Sequence, residues 1–278
     1  MGGNLVSKTR GDRVIWGIVV ILTLVSLLVV YSSTGSLAYK YSKSTESYLF
    51  KQFGFIVLGV LVIYFAHRVN YTIYSRVASI LFVASIFLLI YTHFFGVKLN
   101  EGTRWIKLPV INMTFQTSDM AKLALFMYLS RQLSRKQAVI KDFKKGFLPV
   151  IIPVGIICLL IAPSNLSTSL LIAGTSIMLM FIGRVRTKHL LVTIGLAMIP
   201  VVLLLTIAVT TYDKKEQRTK DLPGILSVGR VPTWIGRIQS FIYSKKEDVN
   251  ERQYQVNQAK IAIASGSWTG LGPGNSKA

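Results

Sequence analysis

The chain has 278 residues, of which 51% are hydrophobic and 15% are charged, and its 32 Lys and Arg against 11 Asp and Glu give a formal net charge of +21. Its one cysteine, Cys158, excludes an internal disulfide framework and a metal site built on thiolates. The positive charge lies in short loops between apolar runs, without any nucleic-acid-binding motif, so we expect no nucleic-acid partner.

Long apolar runs follow one another along most of the chain. A helix crosses the bilayer core with about 17–25 residues and satisfies its own backbone hydrogen bonds there. The first run is not followed by a small-residue cleavage site, so we interpret it as a retained span and not as a signal peptide. The uncharged stretch Gly146–Gly183 is too long for one span, and the polar turn Ala162–Ser169 divides it into two. The sequence therefore predicts an all-α polytopic membrane protein with about seven transmembrane helices, at about residues 14–31, 53–66, 77–91, 119–134, 147–162, 166–182 and 190–211.

Lys and Arg are distributed unequally between the two sets of loops. With the N-terminus in the cytoplasm, the inner loops and the N-terminal segment carry 14 of them, and the short outer loops carry 7. The positive-inside rule therefore predicts a cytoplasmic N-terminus. Residues 212–278 then form a large extracytoplasmic loop after the seventh span, and Leu222–Tyr243 within it is apolar enough to lie on or dip into the bilayer.

Two groups of polar residues are candidates for chemistry. Asp119 and Lys122 are three residues apart at the start of the fourth span, with Ser118 as the expected N-cap, and they share one helix face. They suit either a site that faces the bundle interior or an interfacial ion pair that only anchors the helix. Asp248 lies in the charged stretch SKKEDVNERQYQVNQAK, where the local chemistry does not distinguish it from Glu247.

Four motifs, in this order, resemble those of one protein family. The first motif is RWI at Arg104–Ile106 together with FQTSDMAK at Phe115–Lys122, and the second is SNLST at Ser164–Thr168. The third consists of RIQSF, followed by ED and then by YQVNQAKIAIASG. The fourth is GLGPGNS at Gly270–Ser276. In the same order, these four motifs are similar to RWI with QPSELAK, to PDLGT, to the region around D-P-x-G-x-G-Y-Q, and to GxGNS. These are motifs of the SEDS proteins (shape, elongation, division and sporulation), and the last is a signature of their FtsW branch.

The resemblance implies a peptidoglycan glycosyltransferase that polymerises lipid II during septal cell-wall synthesis, in the bacterial cytoplasmic membrane at the division septum. Its implied partners are a class B penicillin-binding protein, other divisome proteins and membrane lipids. The catalytic aspartate of the family precedes the Tyr of its YQ motif by six residues, which assigns this role to Asp248, six residues before Tyr254. Asp119, Lys122, Arg104 and Arg237 are the implied substrate-binding residues.

The sequence also departs from the family pattern. DVNERQY lacks the proline and both glycines that follow the catalytic aspartate, Asn165 replaces the aspartate of PDLGT, and Asp119 replaces a longer glutamate. The family has about ten spans, with its large exterior loop between spans 7 and 8, so we expect this chain to be a C-terminally truncated member.

The implied reaction is an attack of a sugar hydroxyl on the anomeric carbon of a lipid-linked donor. Asp248 would act as the base, and Lys122, Arg104 and Arg237 would neutralise the departing diphosphate. A divalent cation such as Mg²⁺ could share that task, although the sequence identifies no certain cofactor and no metal ligands. Two alternatives remain at this point, a lipid II flippase or transporter and a non-catalytic divisome scaffold for the penicillin-binding protein.

Overall fold

A computed structural model describes residues 12–34, 45–99, 102–108, 113–213, 218–219, 231–243, 251–267, 270 and 272. These residues are mostly helical, which confirms the predicted fold class. The helices are α1 (Arg13–Ser33), α2 (Thr45–Ala66), α3 (Tyr71–Phe95), α4 (Thr117–Arg135), α5 (Leu148–Ile161), α6 (Leu166–Ile182), α7 (Thr187–Thr210), α8 (Val231–Tyr243) and α9 (Glu251–Gly266).

Five helices of the described chain are long and apolar enough to cross a membrane. They are α1, α2 from Glu46, α3, α5 together with the π-helical turn Phe143–Phe147 before it, and α7. Of the two other helices at predicted spans, α6 is apolar but has only 17 residues, and α4, with 19 residues, does not belong to the apolar set. The protein is therefore a multi-pass membrane protein, while the total of seven spans and their orientation stay predictions.

Two helices begin six or more residues before their predicted spans. Helix α2 begins at Thr45 and not at Phe53, and α3 begins at Tyr71 and not at Val77. The added turns contain the charged residues Glu46, Lys51 and Arg76. Charge marks the edge of the hydrocarbon core, whereas the hydrogen-bonded helix continues beyond it into the headgroup region.

A small antiparallel sheet lies between α3 and α4, where the sequence predicted only an outer loop. It consists of β1 (Val97–Leu99), β2 (Gly102–Leu108) and β3 (Met113–Gln116), with β2 in the centre. Trp105 pairs with Gln116, which is the last residue of β3 and directly precedes α4. A second, two-stranded ladder pairs β4 (Tyr212–Asp213) with β5 (Arg218–Thr219) after α7.

The chain divides into two compact units, Met1–Asn70 with Lys245–Ala278 and Tyr71–Ser244. In the first unit α1 packs against α2, and Gln52 Nε2 donates a hydrogen bond to Ser26 Oγ at 2.9 Å. No residue of α1 is buried. Its apolar side chains are thus available to lipid, as expected of a membrane helix outside a bundle core.

In the second unit α4 packs against α3, α5 and α6. Four of its buried apolar residues recur at every fourth position, which places them on one face: Ala121, Leu125, Leu129 and Leu133. On the side of α3, the ring of Tyr128 stacks on Phe82 with a centroid distance of 4.5 Å. Because α4 contacts three other helices, it has less need of an apolar surface than a helix that faces lipid on most sides.

Candidate active site

The first turn of α4 differs from the predicted cap. The helix begins at Thr117 with Gln116 as its N-cap, and the Gln116 side chain does not cap the helix. Ser118 is therefore inside the helix, where it is buried and accepts a hydrogen bond from Gln116 Nε2 at 2.9 Å. The expected N-cap role of Ser118 is wrong, because the pairing of β2 with β3 extends the ordered backbone to Gln116 and the helix starts two residues earlier.

Asp119 and Lys122 form an ion pair in this first turn. Lys122 Nζ lies 3.1 Å from Asp119 Oδ1, and their side chains are 38% and 58% exposed, respectively. An exposed i,i+3 pair stabilises a helix by only about 0.2–0.5 kcal/mol. Both charged groups are accessible to a ligand, so the geometry is compatible with the substrate-binding role as well as with an anchoring pair.

Arg104 lies in β2, and the structure describes its backbone but not its side chain. The next residue, Trp105, pairs with Gln116, which directly precedes α4. The strand register thus places Arg104 near the helix turn that carries Asp119. The sheet brings together two of the predicted substrate-binding positions that are fifteen residues apart in sequence.

A small cavity lies between α3, α4 and the end of α5, beside the Asp119 turn. Its volume is about 10 Å³, which is about the space that one water molecule requires. Five of its seven lining residues are polar, and the other two are leucines: Thr92, His93, Thr117, Ser118, Ser164, Leu89 and Leu160.

Arg237 lines a larger pocket between α6, α7 and α8. The pocket has a volume of about 210 Å³ and mainly apolar walls, with polar groups at the N-terminal end of α6. Its other lining residues are Asn165, Leu166, Ser167, Leu170, Val201, Leu204, Thr233, Trp234 and Ile238. A cation at the side of an apolar pocket suits an amphiphilic ligand with a negatively charged head.

Gln239 holds α8 in the position that forms this pocket. Its side chain is 4% exposed, and Nε2 donates to the Ala208 carbonyl oxygen at 2.9 Å and to Thr211 Oγ1 at 3.3 Å. The rings of Tyr212 and Tyr243 stack at 4.1 Å and fasten the other end of α8. Helix α8, which belongs to the segment predicted to lie on or dip into the bilayer, therefore packs on α7.

The turn between α5 and α6 lies beside both cavities. Ser164 lines the small polar cavity, and the adjacent Asn165 lines the pocket of Arg237. Asn165 is also the N-cap of α6, since its Oδ1 accepts from the Thr168 backbone N–H at 3.3 Å. An aspartate at this position could cap the helix in the same way. Asn165, in place of the family's aspartate, therefore retains the cap but lacks the negative charge of a carboxylate.

Asp248, the predicted catalytic residue, lies outside the described residues, as does Glu247 beside it. Tyr254, from which its position was counted, is an exposed residue of α9. The role of Asp248 stays a prediction. Among the described residues there is no group of three or more His, Cys, Asp or Glu side chains that could hold a metal ion.

Sequence reasoning did not select the pocket residues Trp234, Thr233 and Ser167, or the buried Gln239. A signal exists for Gln239, since this polar residue of α8 follows the buried Ile235 by four positions on an otherwise apolar helix face. A buried amide on such a face needs a hydrogen-bond partner from another element, which predicts a docked helix.

Two curated relatives illustrate what the chain is similar to. A probable peptidoglycan glycosyltransferase FtsW of Geobacter sp. (strain M18) is 26% identical over 269 residues, which cover 96% of this chain and 66% of that protein. Stage V sporulation protein E of Bacillus subtilis (strain 168) is 27% identical over 277 residues, which cover 97% of this chain and 68% of that protein. The chain thus spans about two thirds of the length of these relatives.

Solved structures share the fold. A chain of a peptidoglycan synthase complex, described as coordinating polymerization and crosslinking, matches with a TM-score of 0.63 at 20% identity, over 90% of this chain and 65% of that chain. The rod shape-determining protein RodA of Thermus thermophilus matches with a TM-score of 0.53 at 22% identity, over 69% of this chain and 60% of that chain. A family model of cell cycle proteins, named after FtsW, RodA and SpoVE, matches residues 12–278, and the chain therefore belongs to this family.

Proposed function

We propose that the protein is a peptidoglycan glycosyltransferase that polymerises lipid II into glycan strands for the division septum. The observation that carries this proposal is the pocket between α6, α7 and α8, where Arg237 borders mainly apolar walls. Lipid II has an isoprenoid tail and a diphosphate, and such a pocket offers apolar surface to the first and a cation to the second. The names of the FtsW relatives support the same activity.

The reaction needs a base and positive charge, and the proposal assigns each to a residue. A hydroxyl of the acceptor sugar attacks the anomeric carbon of the donor, and the bond from that carbon to the diphosphate oxygen breaks. Asp248 takes the hydroxyl proton. The diphosphate leaves with the bonding electron pair, and Lys122, Arg104 and Arg237 stabilise its charge. Diphosphate is a good leaving group, so this reaction does not require the second carboxyl group that glycosidases use to protonate the leaving oxygen.

The described residues do not by themselves form a metal cage. A Mg²⁺ ion is usually held by one or two carboxylates together with phosphate oxygens and water. Asp119 is the carboxylate in this region that could take part, and the ion would add charge neutralisation beside Lys122. The proposal assigns no step to a metal ion.

The same proposal includes the partner and the location. A class B penicillin-binding protein would crosslink the strands in the bacterial cytoplasmic membrane, within the assembly of division proteins at the septum. The fold shared with a chain of a peptidoglycan synthase complex supports an arrangement of this kind. The N-terminus would lie in the cytoplasm and the pocket of Arg237 near the outer leaflet, which matches the distribution of Lys and Arg.

The test is a polymerisation assay with labelled lipid II. The chain, with any continuation that its gene encodes, is purified together with its class B penicillin-binding protein, and glycan strands are separated on a gel. Asp248→Asn is compared with Glu247→Gln, which removes a neighbouring carboxylate from the same stretch. We expect long strands from the wild type and Glu247→Gln, and none from Asp248→Asn.

Other outcomes would replace the proposal. Equal strand yields from the wild type and Asp248→Asn would place the base elsewhere or the polymerase in the partner. A transporter would move labelled lipid II between leaflets and tolerate Asp248→Asn. A scaffold would bind the penicillin-binding protein normally and produce no strands with any variant.

A further inference from the structure

Two loops at one end of the helix bundle carry an unusual concentration of positive charge. The connection between α4 and α5, residues 136–147, contains four lysines and one acid. The connection between α6 and α7 together with the first turn of α7, residues 183–189, contains three Lys or Arg residues and no acid. Six of these cations form what we call the cationic surface: Lys141, Lys144, Lys145, Arg184, Arg186 and Lys188. All six are exposed.

The two loops are fastened to each other. Gln137 Nε2 donates to the Gly183 carbonyl oxygen at 3.3 Å, and the His189 ring lies 5.3 Å from Phe143 and 5.2 Å from Phe147. A side chain added to Gly183 would meet Leu133 of α4 at 2.9 Å, so this loop lies directly against the end of α4. The cations of both loops are therefore held at one end of the bundle and cannot separate freely.

The negative charge nearby is already engaged. Asp142, the acid of the first loop, accepts a hydrogen bond from the Lys145 backbone N–H at 2.7 Å and caps the π-helical turn before α5. Among the described residues, no carboxylate forms an ion pair with any of the six cations. Lys136, at the start of the first loop, donates a hydrogen bond from Nζ to the Lys145 carbonyl oxygen at 3.1 Å. The surface thus presents charge without an internal counterion in the described chain.

Apolar groups accompany these cations. Phe143 is 51% exposed next to Lys144, and Leu148, at the start of α5, is also exposed. Exposed Phe and Leu beside Lys and Arg are typical of protein surfaces that lie at the boundary between headgroups and acyl chains. Helix α5 and the turn before it form one of the five apolar membrane helices, which places this loop at the edge of the bilayer.

We propose that the cationic surface binds the phosphate headgroups of anionic phospholipids. The positive-inside rule accounts for cations in a short loop, but it does not require cations from two loops to be fastened together. Anionic lipids at a leaflet surface attract each nearby Lys or Arg, and the attraction decays within a Debye length of about 8–10 Å. Because the two loops are joined, their cations act on the same lipids.

Native mass spectrometry of the protein in a neutral detergent tests this proposal. The probe is dioleoyl-phosphatidylglycerol, and dioleoyl-phosphatidylcholine serves as the uncharged reference. The surface variant is Lys144→Gln/Arg186→Gln/Lys188→Gln. The matched control, Lys51→Gln/Lys107→Gln/Lys260→Gln, removes the same charge from exposed cations outside the cationic surface.

We expect the wild type and the control to prefer phosphatidylglycerol and the surface variant to bind it at least about tenfold more weakly. Raising the ammonium acetate concentration should reduce the preference of the wild type, which tests the electrostatic origin without any substitution. A wild type without preference, a preference insensitive to salt, or equal losses in both triple variants would overturn the proposal.

Complete displacement of the lipid by inorganic phosphate would point to a pocket for free anions, and displacement by a glutamate-rich peptide in preference to lipid would point to a protein partner. Either displacement would also contradict a lipid-binding surface.

Discussion

Ser169 of α6 and Cys158 of α5 join their helices by reciprocal hydrogen bonds. The Ser169 hydroxyl donates to the Cys158 carbonyl oxygen at 2.9 Å, and the Cys158 thiol donates to the Ser169 carbonyl oxygen at 3.6 Å. These bonds fasten both helices next to the turn that supplies Ser164 to the polar cavity and Asn165 to the pocket of Arg237. The two cavities therefore depend on how firmly α5 and α6 are joined.

Ser169→Ala should lower the free energy of unfolding by about 1 kcal/mol, because Ser169 is buried and its interhelical hydrogen bond is lost. Thermal unfolding in detergent would show a midpoint lower by about 2–4 °C. Ser130→Ala is the control, since the exposed Ser130 hydroxyl bonds only to Phe126 of its own helix. Equal shifts of the thermal midpoint in the two variants would contradict a specific stabilising role of the hydrogen bonds between Ser169 and Cys158.

Gln239→Leu should loosen α8 from α7. It removes both hydrogen bonds to the end of α7 and leaves the Ala208 carbonyl oxygen without this partner. The rate at which trypsin cleaves after Arg237 would rise about fivefold, as expected for about 1 kcal/mol of local opening. Phe241→Leu changes a side chain that is 91% exposed and should leave the cleavage rate unchanged.

Leu170→Trp should block the pocket of Arg237. Leu170 lines this pocket, and the larger indole would occupy part of its volume of about 210 Å³. Leu171→Trp introduces the same ring at the next exposed position of α6, outside the pocket lining. We expect the first variant to lose glycan synthesis and the second to retain it, with similar thermal midpoints. Full activity of Leu170→Trp would show that substrate does not use this pocket.

Lys122→Gln should separate the two interpretations of the pair with Asp119. The exposed pair contributes little to stability, so the thermal midpoint should change by less than about 2 °C. Loss of a cation from the diphosphate site should lower strand synthesis at least about tenfold. Lys51→Gln serves as the control. Unchanged synthesis by Lys122→Gln would leave the pair with an anchoring role.

Arg184→Gly should stabilise the protein. Arg184 has a φ of 62°, which lies in the left-handed region that favours glycine, at the position that follows α6 and its C-cap Gly183. Relief of this backbone strain should raise the free energy of unfolding by about 0.5–1 kcal/mol. Arg186→Gly is the contrast, because Arg186 has an ordinary φ of −61° and gains nothing from glycine. A lower thermal midpoint for Arg184→Gly would mean that its side-chain contacts outweigh the strain.

The apolar pattern predicted where helices occur but not how far they continue. The seven predicted spans overlap α1–α7, because a bilayer helix is recognisable from a long uncharged run. The extra turns of α2 and α3 were missed because helical hydrogen bonds do not end at a charged side chain. The sheet β1–β3 was missed because Trp105, Thr114 and their neighbours receive their order from pairing between strands that are separated in sequence.

The motifs identified the family, and the family model confirms the resemblance over residues 12–278. The motif residues Asp119 and Lys122 could be paired from sequence, since three residues along a helix bring two side chains to one face. The pocket residues could not be assembled in this way. Leu170, Val201 and Arg237 lie on three helices, and only the packing of those helices brings them together.

The sequence by itself determined a multi-pass helical membrane protein, its family and the residues to test, because hydrophobicity and motif spacing are local properties of the chain. The tertiary structure decided that α8 packs on α7, that Arg237 borders a mainly apolar pocket, and that two basic loops share one surface. Each of these depends on a contact between distant segments, such as Gln239 with Ala208 or Gln137 with Gly183, and such contacts have no period or spacing along the chain.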